Sequence, residues 1–327
     1  MRIIEAFVFS FVLLLSGASD SQDLTARLSD ATVYDGRLVC LFEDGTVATW
    51  DAISGQPDYE LASKLTNPMI SLVASDAARL WAVDSQNLLL WDATNGGWQA
   101  AENLPISDPL TLVVVDRLPV VIYERSVELP TIGKSFKVPD LGGQLRIDSL
   151  RVLATYALGE TLWVGTGQGE WGGHLVSLNI RNGKWRQYYD AGHYVTGISS
   201  SDENTLIVSW SMSHFMADTL IREHDKRGIP KHSYPELDDS YFQSVAFSQF
   251  DGQLYGVEQN TIVTIENGIP TPIAELGRLS YDAEPNAIGI APAVHRVIPV
   301  GEKTLFILHR NAAPFLFRDG TLSQLNW

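Results

Sequence analysis

The sequence has almost no cysteine: Cys40 is the only one in a chain of 327 residues. A single thiol cannot form an intrachain disulfide, so such cross-links are excluded as a source of stability. Cys40 lies in the apolar run Leu38-Val39-Cys40-Leu41, and a free cysteine in such surroundings is usually buried and inert. We therefore expect a fold that is held together by its hydrophobic core.

Basic residues are also scarce. Lys and Arg together number 23 against 39 Asp and Glu, which gives a formal net charge of −16. The sequence contains no stretch in which Lys and Arg are concentrated. Nucleic acids and anionic membrane surfaces are bound chiefly through clustered basic side chains, so the sequence argues against nucleic acid as a partner and against such surfaces.

A hydrophobic run long enough to span a membrane is missing as well. The apolar run near the start covers only residues 6–15 and is followed by the small residues Ser16, Gly17 and Ala18. A membrane-spanning helix needs about 20 apolar residues, whereas this shorter run is typical of a secretory signal peptide. We predict a signal peptide over residues 1–18, cleaved near Ala18, then a polar segment over residues 19–30.

This prediction places the protein outside the cytoplasm, secreted or periplasmic, with no membrane span in the mature chain. An uncleaved amphipathic anchor is the alternative. No cysteine directly follows the apolar run, so the lipid attachment of a bacterial lipoprotein is not expected.

What the sequence does contain is a repeated, strongly apolar strand. The runs begin at Arg37, Arg79, Leu118, Thr161, Thr205, Gln253 and Thr304. Their starts lie 39 to 51 residues apart, close to the roughly 40–50 residues of a four-stranded propeller blade. The runs lack apolar–polar alternation, as expected for strands that neighbouring blades cover on both faces. We therefore predict an all-β fold, a single β-propeller over residues 31–327 with seven four-stranded blades.

The third repeat is the weakest. Pro119, Pro130 and Pro139 fall within it, and proline is confined to strand edges, strand starts and bulges. A propeller of six blades, in which this repeat forms no blade of its own, is the alternative.

Most repeats also end their third predicted strand in a turn rich in Asp, Asn and Gly. These turns are residues 50–55, 91–96, 178–183, 224–228, 266–268 and 318–320. Asp and Asn hydrogen-bond to the local backbone and Gly adopts positive φ, so the turns explain these residues without any catalytic role. Two of the turns are WD-like, with Trp50-Asp51 and Trp91-Asp92, but they lack the Gly-His signature of WD repeats.

A recurring pattern resembles the quinoprotein-like (PQQ-like) propeller repeat over most of residues 31–327. In this pattern an apolar strand is followed by Trp or Leu, then by Asp or Asn, and then by three further residues and Gly. Residues 162–166, Leu-Trp-Val-Gly-Thr, are also similar to the strand motif of two-component-regulator propellers. The resemblance implies either pyrroloquinoline quinone with alcohol oxidation, or a cofactor-free scaffold of the bacterial envelope. The adjacent cysteines of some quinone enzymes are absent here, and no calcium ligands can be assigned, so we predict no cofactor.

Other catalytic signatures are weak. Residues 165–169, Gly-Thr-Gly-Gln-Gly, lack the helix and the Lys of a phosphate loop, and no Gly-x-Ser-x-Gly elbow is present. Three imidazoles such as those of His174, His193 and His214 can bind zinc, but nothing in their spacing requires it. We predict no metal site.

In an antiparallel blade, the loop after the second strand and the connection to the next blade emerge at the same end. For the fourth and fifth blades this brings together residues 167–173, 190–195 and 210–217, where aromatic side chains beside His and acidic groups suit a sugar ring or a peptide. The candidate binding residues are Glu170, Trp171, His174, His193, Tyr194, Trp210, His214 and Phe215. Packing in the core is the competing explanation for each Trp and His.

The sequence therefore favours a non-enzymatic binding or scaffolding module, expected to be a monomer. Its partner would be a protein or a glycan of the cell envelope or exterior. A glycan-active enzyme is the alternative, followed by a quinone-dependent dehydrogenase.

Overall fold

The structure is a computed structural model. It describes residues 28–61, 63–65, 72–76, 78–84, 86–104, 109–139, 151–167, 173–190, 193–214, 216–234, 237–238, 242–258, 261–276, 294–309 and 313–325. The predicted signal peptide, residues 1–18, lies outside these ranges. Within them, no helix has the length and hydrophobicity needed to cross a membrane.

The described chain forms seven antiparallel sheets, each built from one continuous stretch of sequence. In every sheet four strands follow one another in chain order, and the fifth sheet has one further short strand that pairs with its third strand. The first strands of successive sheets contact each other around the centre. This is the predicted seven-bladed, all-β propeller. The third repeat forms its own blade in spite of its prolines, so the six-bladed alternative is excluded.

The strands of the first three blades, in chain order, are as follows. Blade 1 contains β1 (Leu28–Tyr34), β2 (Arg37–Phe42), β3 (Thr46–Asp51) and β4 (Ser63–Lys64). Blade 2 contains β5 (Leu72–Ser75), β6 (Leu80–Val83), β7 (Asn87–Asp92) and β8 (Gly97–Asn103). Blade 3 contains β9 (Thr111–Val115), β10 (Leu118–Ile122), β11 (Ser126–Leu129) and β12 (Lys134–Lys137), with a 3₁₀ turn at Pro130–Ile132.

The remaining four blades follow the same order. Blade 4 contains β13 (Arg151–Leu158), β14 (Thr161–Gly167), β15 (Gly173–Asn179) and β16 (Trp185–Asp190). Blade 5 contains β17 (Tyr194–Asp202), β18 (Thr205–His214), β19 (Met216–Asp225) and β20 (Pro230–Ser233), and β21 (Leu237–Asp238) also pairs with β19. Blade 6 contains β22 (Phe242–Phe247), β23 (Leu254–Glu258), β24 (Thr261–Glu266) and β25 (Ile269–Glu275). Blade 7 contains β26 (Val294–Gly301), β27 (Thr304–His309), β28 (Phe315–Arg318) and β29 (Thr321–Gln324).

The core is divided into seven hydrophobic clusters, and each cluster lies between two adjacent blades. The second strand of a blade contributes to the clusters on both sides of its sheet. In β14, for example, Leu162 packs against blade 3 and Trp163 packs against blade 5. This two-sided burial explains why the second strands are apolar throughout. Cys40 belongs to the cluster between blades 1 and 7, where burial raises the pKa of its thiol.

Blades 1 and 7 close the ring through side chains. Leu28 and Leu325 lie in one buried cluster with residues of both blades. On the surface of the same seam, the Arg318 guanidinium donates a hydrogen bond to the carbonyl oxygen of Ile53, and Arg296 lies 3.7 Å from the carboxylate of Asp30. Closure therefore rests on apolar packing together with polar contacts that join the first and last blades.

The turns carry the chemistry that their sequences predict. The carboxylate of Asp51 accepts a 2.6 Å hydrogen bond from the backbone N–H of Ser54, and the side-chain oxygen of Asn179 accepts one of 3.1 Å from Asn182. Gly55 then adopts a φ of +71°, which is costly for residues with a Cβ. The Asp, Asn and Gly residues of these turns are accounted for by backbone geometry.

Candidate functional site

A propeller of this kind has two different ends. We call the end that carries the β-turns between first and second strands, and between third and fourth strands, the turn end. We call the opposite end, with the loops between second and third strands and the connections between blades, the connection end. The sequence predicts the binding residues at the connection end of blades 4 and 5.

Half of the predicted binding residues are not described at the level of their side chains. Glu170, Trp171 and Phe215 lie outside the described residues, and for His214 only the strand position at the end of β18 is described. Their predicted role in binding is therefore untested.

Three of the four described residues, His193, Tyr194 and Trp210, lie at the seam between blades 4 and 5, whereas the His174 side chain is on the opposite face of β15 from Leu175 and points toward blade 3. His174 is in β15, His193 directly precedes β17, Tyr194 begins β17, and Trp210 is in β18. The two sheets approach closely here: a Cβ added to Gly173 would lie 2.8 Å from the Cα of Tyr194. The structure thus brings His193, Tyr194 and Trp210 to one seam and leaves the His174 side chain on the other face of blade 4.

Burial limits what three of these side chains offer to a ligand. His174 is only 3% exposed, and its Nδ1 accepts a 2.7 Å hydrogen bond from the side-chain amide of Gln187. Burial lowers the pKa of this imidazole and so favours its neutral form. Tyr194 is also buried, whereas His193 is partly exposed.

Trp210 is a core residue. It is 1% exposed and packs in the cluster between blades 4 and 5 with Trp163 and Val195. Its indole N–H has no hydrogen-bond partner within the described part of the chain. The ring therefore stabilises the seam, and its predicted role in binding, like that of the other site residues, stays a prediction.

Sequence reasoning missed a set of exposed apolar side chains at the turn end. They are Ile53, Ile132, Ile229, Phe250 and Ile269, with between 46% and 77% of each residue exposed. They belong to blades 1, 3, 5 and 6. A large hydrophobic residue inside or beside a β-turn is itself a signal, since turns are normally polar.

A cleft of about 680 Å³ lies at the turn end between blades 6 and 7. Tyr255 and Phe317 are both almost fully buried and form its floor, with Thr264 and Ile273 on the blade 6 wall. The turn residues Glu302 and Asp319 of blade 7 lie at its rim and are exposed. The cleft therefore combines an apolar floor with acidic groups at the edge.

Asp251 joins the two sides of this cleft. Its Oδ2 accepts hydrogen bonds from the Tyr255 hydroxyl at 2.7 Å and from the backbone N–H of Lys303 at 2.9 Å. Partial burial opposes ionisation, but these and further hydrogen bonds hold the pKa of Asp251 below its usual range. Burial together with this carboxylate raises the pKa of Tyr255. The cleft wall thus contains a fixed negative charge.

No group of three or more His, Cys, Asp and Glu side chains that could hold a metal ion occurs among the described residues.

No known protein family and no curated protein matches the sequence. Solved structures do match in shape. The β-propeller domain of Cps50 (Swd1) from Myceliophteria thermophila has a TM-score of 0.59 and 13% identity, covering 86% of this chain and 94% of that one. Hsv2 from Kluyvelomyces marxianus has a TM-score of 0.58 and 12% identity, covering 92% and 99%. Kluyveromyces lactis Hsv2 has the same TM-score and identity, covering 91% and 98%. Identities this low establish a likeness in fold, that of a β-propeller.

Proposed function

We propose that the protein is a non-enzymatic binding module, secreted or periplasmic, that holds a partner protein of the cell envelope or exterior against its turn end. The observation that carries the proposal is the set of five exposed apolar residues in the turns of that end. Burying a side chain of this size stabilises a complex by about 1.5–3 kcal/mol before the costs of association.

The backbone that carries these side chains is held in place, which favours binding. The N–H of Ile53 donates to Asp51 at 3.2 Å, that of Ile229 donates to Asp225 at 2.9 Å, and that of Phe250 donates to Ser248 at 3.3 Å. Turns fixed in this way lose little conformational freedom when a partner binds. The same geometry suits a scaffold that presents several contact points at once.

The chemistry of the turn end favours a protein over a glycan as the partner. Four of the five exposed residues are isoleucine and one, Phe250, is aromatic. Sugar rings stack on flat aromatic faces, whereas branched aliphatic side chains pack against other apolar side chains. The glycan alternative depends on Trp171 and Phe215, which lie outside the described residues.

The proposal is tested by photo-crosslinking in the native host. A photoreactive amino acid placed at Ile53, Ile229 or Ile269 should form an adduct with a protein, and the matched position Leu110, exposed at the connection end, should not. Adducts from Leu110 with none from the turn end would contradict the proposal. A glycan array that gives strong binding without any protein adduct would favour the glycan alternative.

Export is tested separately by intact-mass analysis. The protein recovered from the periplasm or the culture supernatant should begin close to residue 19. An exported form that retains Met1 would contradict the predicted signal peptide.

A further inference from the structure

An exposed apolar residue of blade 6, Ile269, stands on the sheet face that forms one wall of the cleft between blades 6 and 7. In blade 6, Tyr255 pairs with Thr264, and Thr264 pairs with Thr271. Paired residues of antiparallel strands share a face, and so do residues two positions apart. Ile269, which pairs with Glu266, therefore stands on the same face of the sheet as the cleft wall and is 66% exposed.

The rim on the blade 7 side is acidic. Glu302 and Asp319 come from two adjacent turns, whose backbones are joined by a hydrogen bond from Asp319 N–H to the carbonyl of Lys303. Among the described residues, no hydrogen bond or ion pair engages either of these two carboxylates. With Asp251 in the wall, three carboxylates and one ammonium group, that of Lys303, line the cleft.

We propose that this cleft is the docking site for a basic, partly apolar peptide segment of the partner protein, and the inference rests on the binding function proposed above. The exposed carboxylates of Glu302 and Asp319 attract a Lys or Arg side chain of the segment. A neighbouring large apolar side chain packs on Phe317 and Ile273 and is covered by Ile269. Charge complementarity favours a basic segment, because carboxylates outnumber ammonium groups in the cleft and the whole chain has a formal net charge of −16.

Size supports the same occupant. Binding pockets for compact ligands commonly have volumes of about 300–1,000 Å³, and this cleft, at about 680 Å³, lies within that range. An acidic or phosphorylated segment is disfavoured, because it would meet the carboxylates at the rim.

The experiment uses the mature protein and a phage-displayed library of random eight-residue peptides. Selected sequences should be enriched in Lys or Arg close to a large apolar residue. A synthetic copy of the most enriched peptide, labelled with fluorescein, is then titrated by anisotropy. The double variant E302Q/D319N should weaken its binding about tenfold or more, an effect that diminishes as salt is added.

Two matched controls isolate the cleft. Glu203 occupies in blade 5 the turn position that Glu302 occupies in blade 7, so E203Q should leave peptide affinity within about twofold. I269S should weaken binding by about tenfold, whereas L110S, at an exposed apolar position of the connection end, should not. All four variants change exposed residues, so their thermal midpoints should match that of the wild type.

Three outcomes would overturn the inference: selected peptides that are acidic, selected peptides insensitive to E302Q/D319N and I269S, or no enrichment with folded protein. If photo-crosslinks to the turn end persist in any of these cases, the proposed binding function stands and only the cleft assignment fails. If peptides bind the cleft as described but no turn position forms an adduct in the host, the cleft assignment stands and the proposed function fails.

Discussion

Replacing Gly165 with alanine should separate blades 4 and 5. Gly165 lies in β14, and a Cβ added there would lie 2.3 Å from Cγ1 and 2.7 Å from Cβ of Val195. Carbon atoms in contact are normally about 3.5–4.0 Å apart. Rotating the Val195 side chain moves its Cγ1 but leaves its Cβ, which the β17 backbone fixes, so the two sheets have to move apart by about 1 Å.

The magnitude follows from this overlap and from the burial of the site. Val195 is fully buried in the cluster of the seam, and overpacking of a well-packed core costs about 1–3 kcal/mol. Because the clash involves a fixed atom, we expect the upper part of that range, about 2–3 kcal/mol. For a propeller of about 300 residues, with an unfolding entropy of about 2.1 cal/mol/K per residue, that corresponds to a fall in thermal midpoint of about 3–5 °C.

Differential scanning calorimetry measures the change, and two further variants control it. Gly97, at the start of β8, has no atom within 4 Å of an added Cβ, so Gly97→Ala should change stability by less than about 0.5 kcal/mol. Combining Gly165→Ala with Val195→Ala should cost clearly less than the sum of the two single changes. Equal midpoints for Gly165→Ala and Gly97→Ala, or full additivity, would refute the reasoning.

Three further predictions concern buried groups. Trp210→Ala should cost about 3–5 kcal/mol of unfolding free energy in urea titrations; lost ligand affinity at unchanged stability would instead indicate a binding residue. Burial lowers the pKa of His224, so the protein should lose stability as the pH falls through about 6.5, the pKa of an unfolded imidazole. The variant His224→Gln should therefore show a smaller change in unfolding free energy between pH 8 and pH 5. An unchanged pH dependence in this variant would contradict the prediction. The buried Cys40 should react with Ellman's reagent only after denaturation, and fast reaction of the native protein would show that it is accessible.

The architecture could be predicted from the sequence because one physical constraint recurs in every blade. The second strand is covered on both faces, so it is apolar throughout, and the predicted runs at residues 37, 161, 205 and 304 coincide with the starts of β2, β14, β18 and β27. Residues 210–217 are predicted as a loop, but β18 extends to His214, so Trp210 lies within a second strand and is buried by the same constraint.

The candidate site at the turn end could not be predicted in the same way. Its exposed residues differ from blade to blade: Ile53 lies within a turn, whereas Ile269 follows one. They therefore leave no periodic signal. The cleft between blades 6 and 7 depends on how two sheets are placed relative to each other, which is decided by packing between residues such as Tyr255 and Phe317, far apart in sequence.

Each sheet is formed by one continuous stretch of chain, and side chains close the ring between blades 1 and 7. The fold should therefore tolerate circular permutation. Leu28 and Leu325, near the two ends of the described propeller, share one buried cluster, so a short linker is enough to join them. A circular permutant with new termini between two other blades would interrupt no sheet. Because one continuous stretch of chain forms one blade, duplication or deletion of such a stretch would change the circumference of the ring by a whole structural unit.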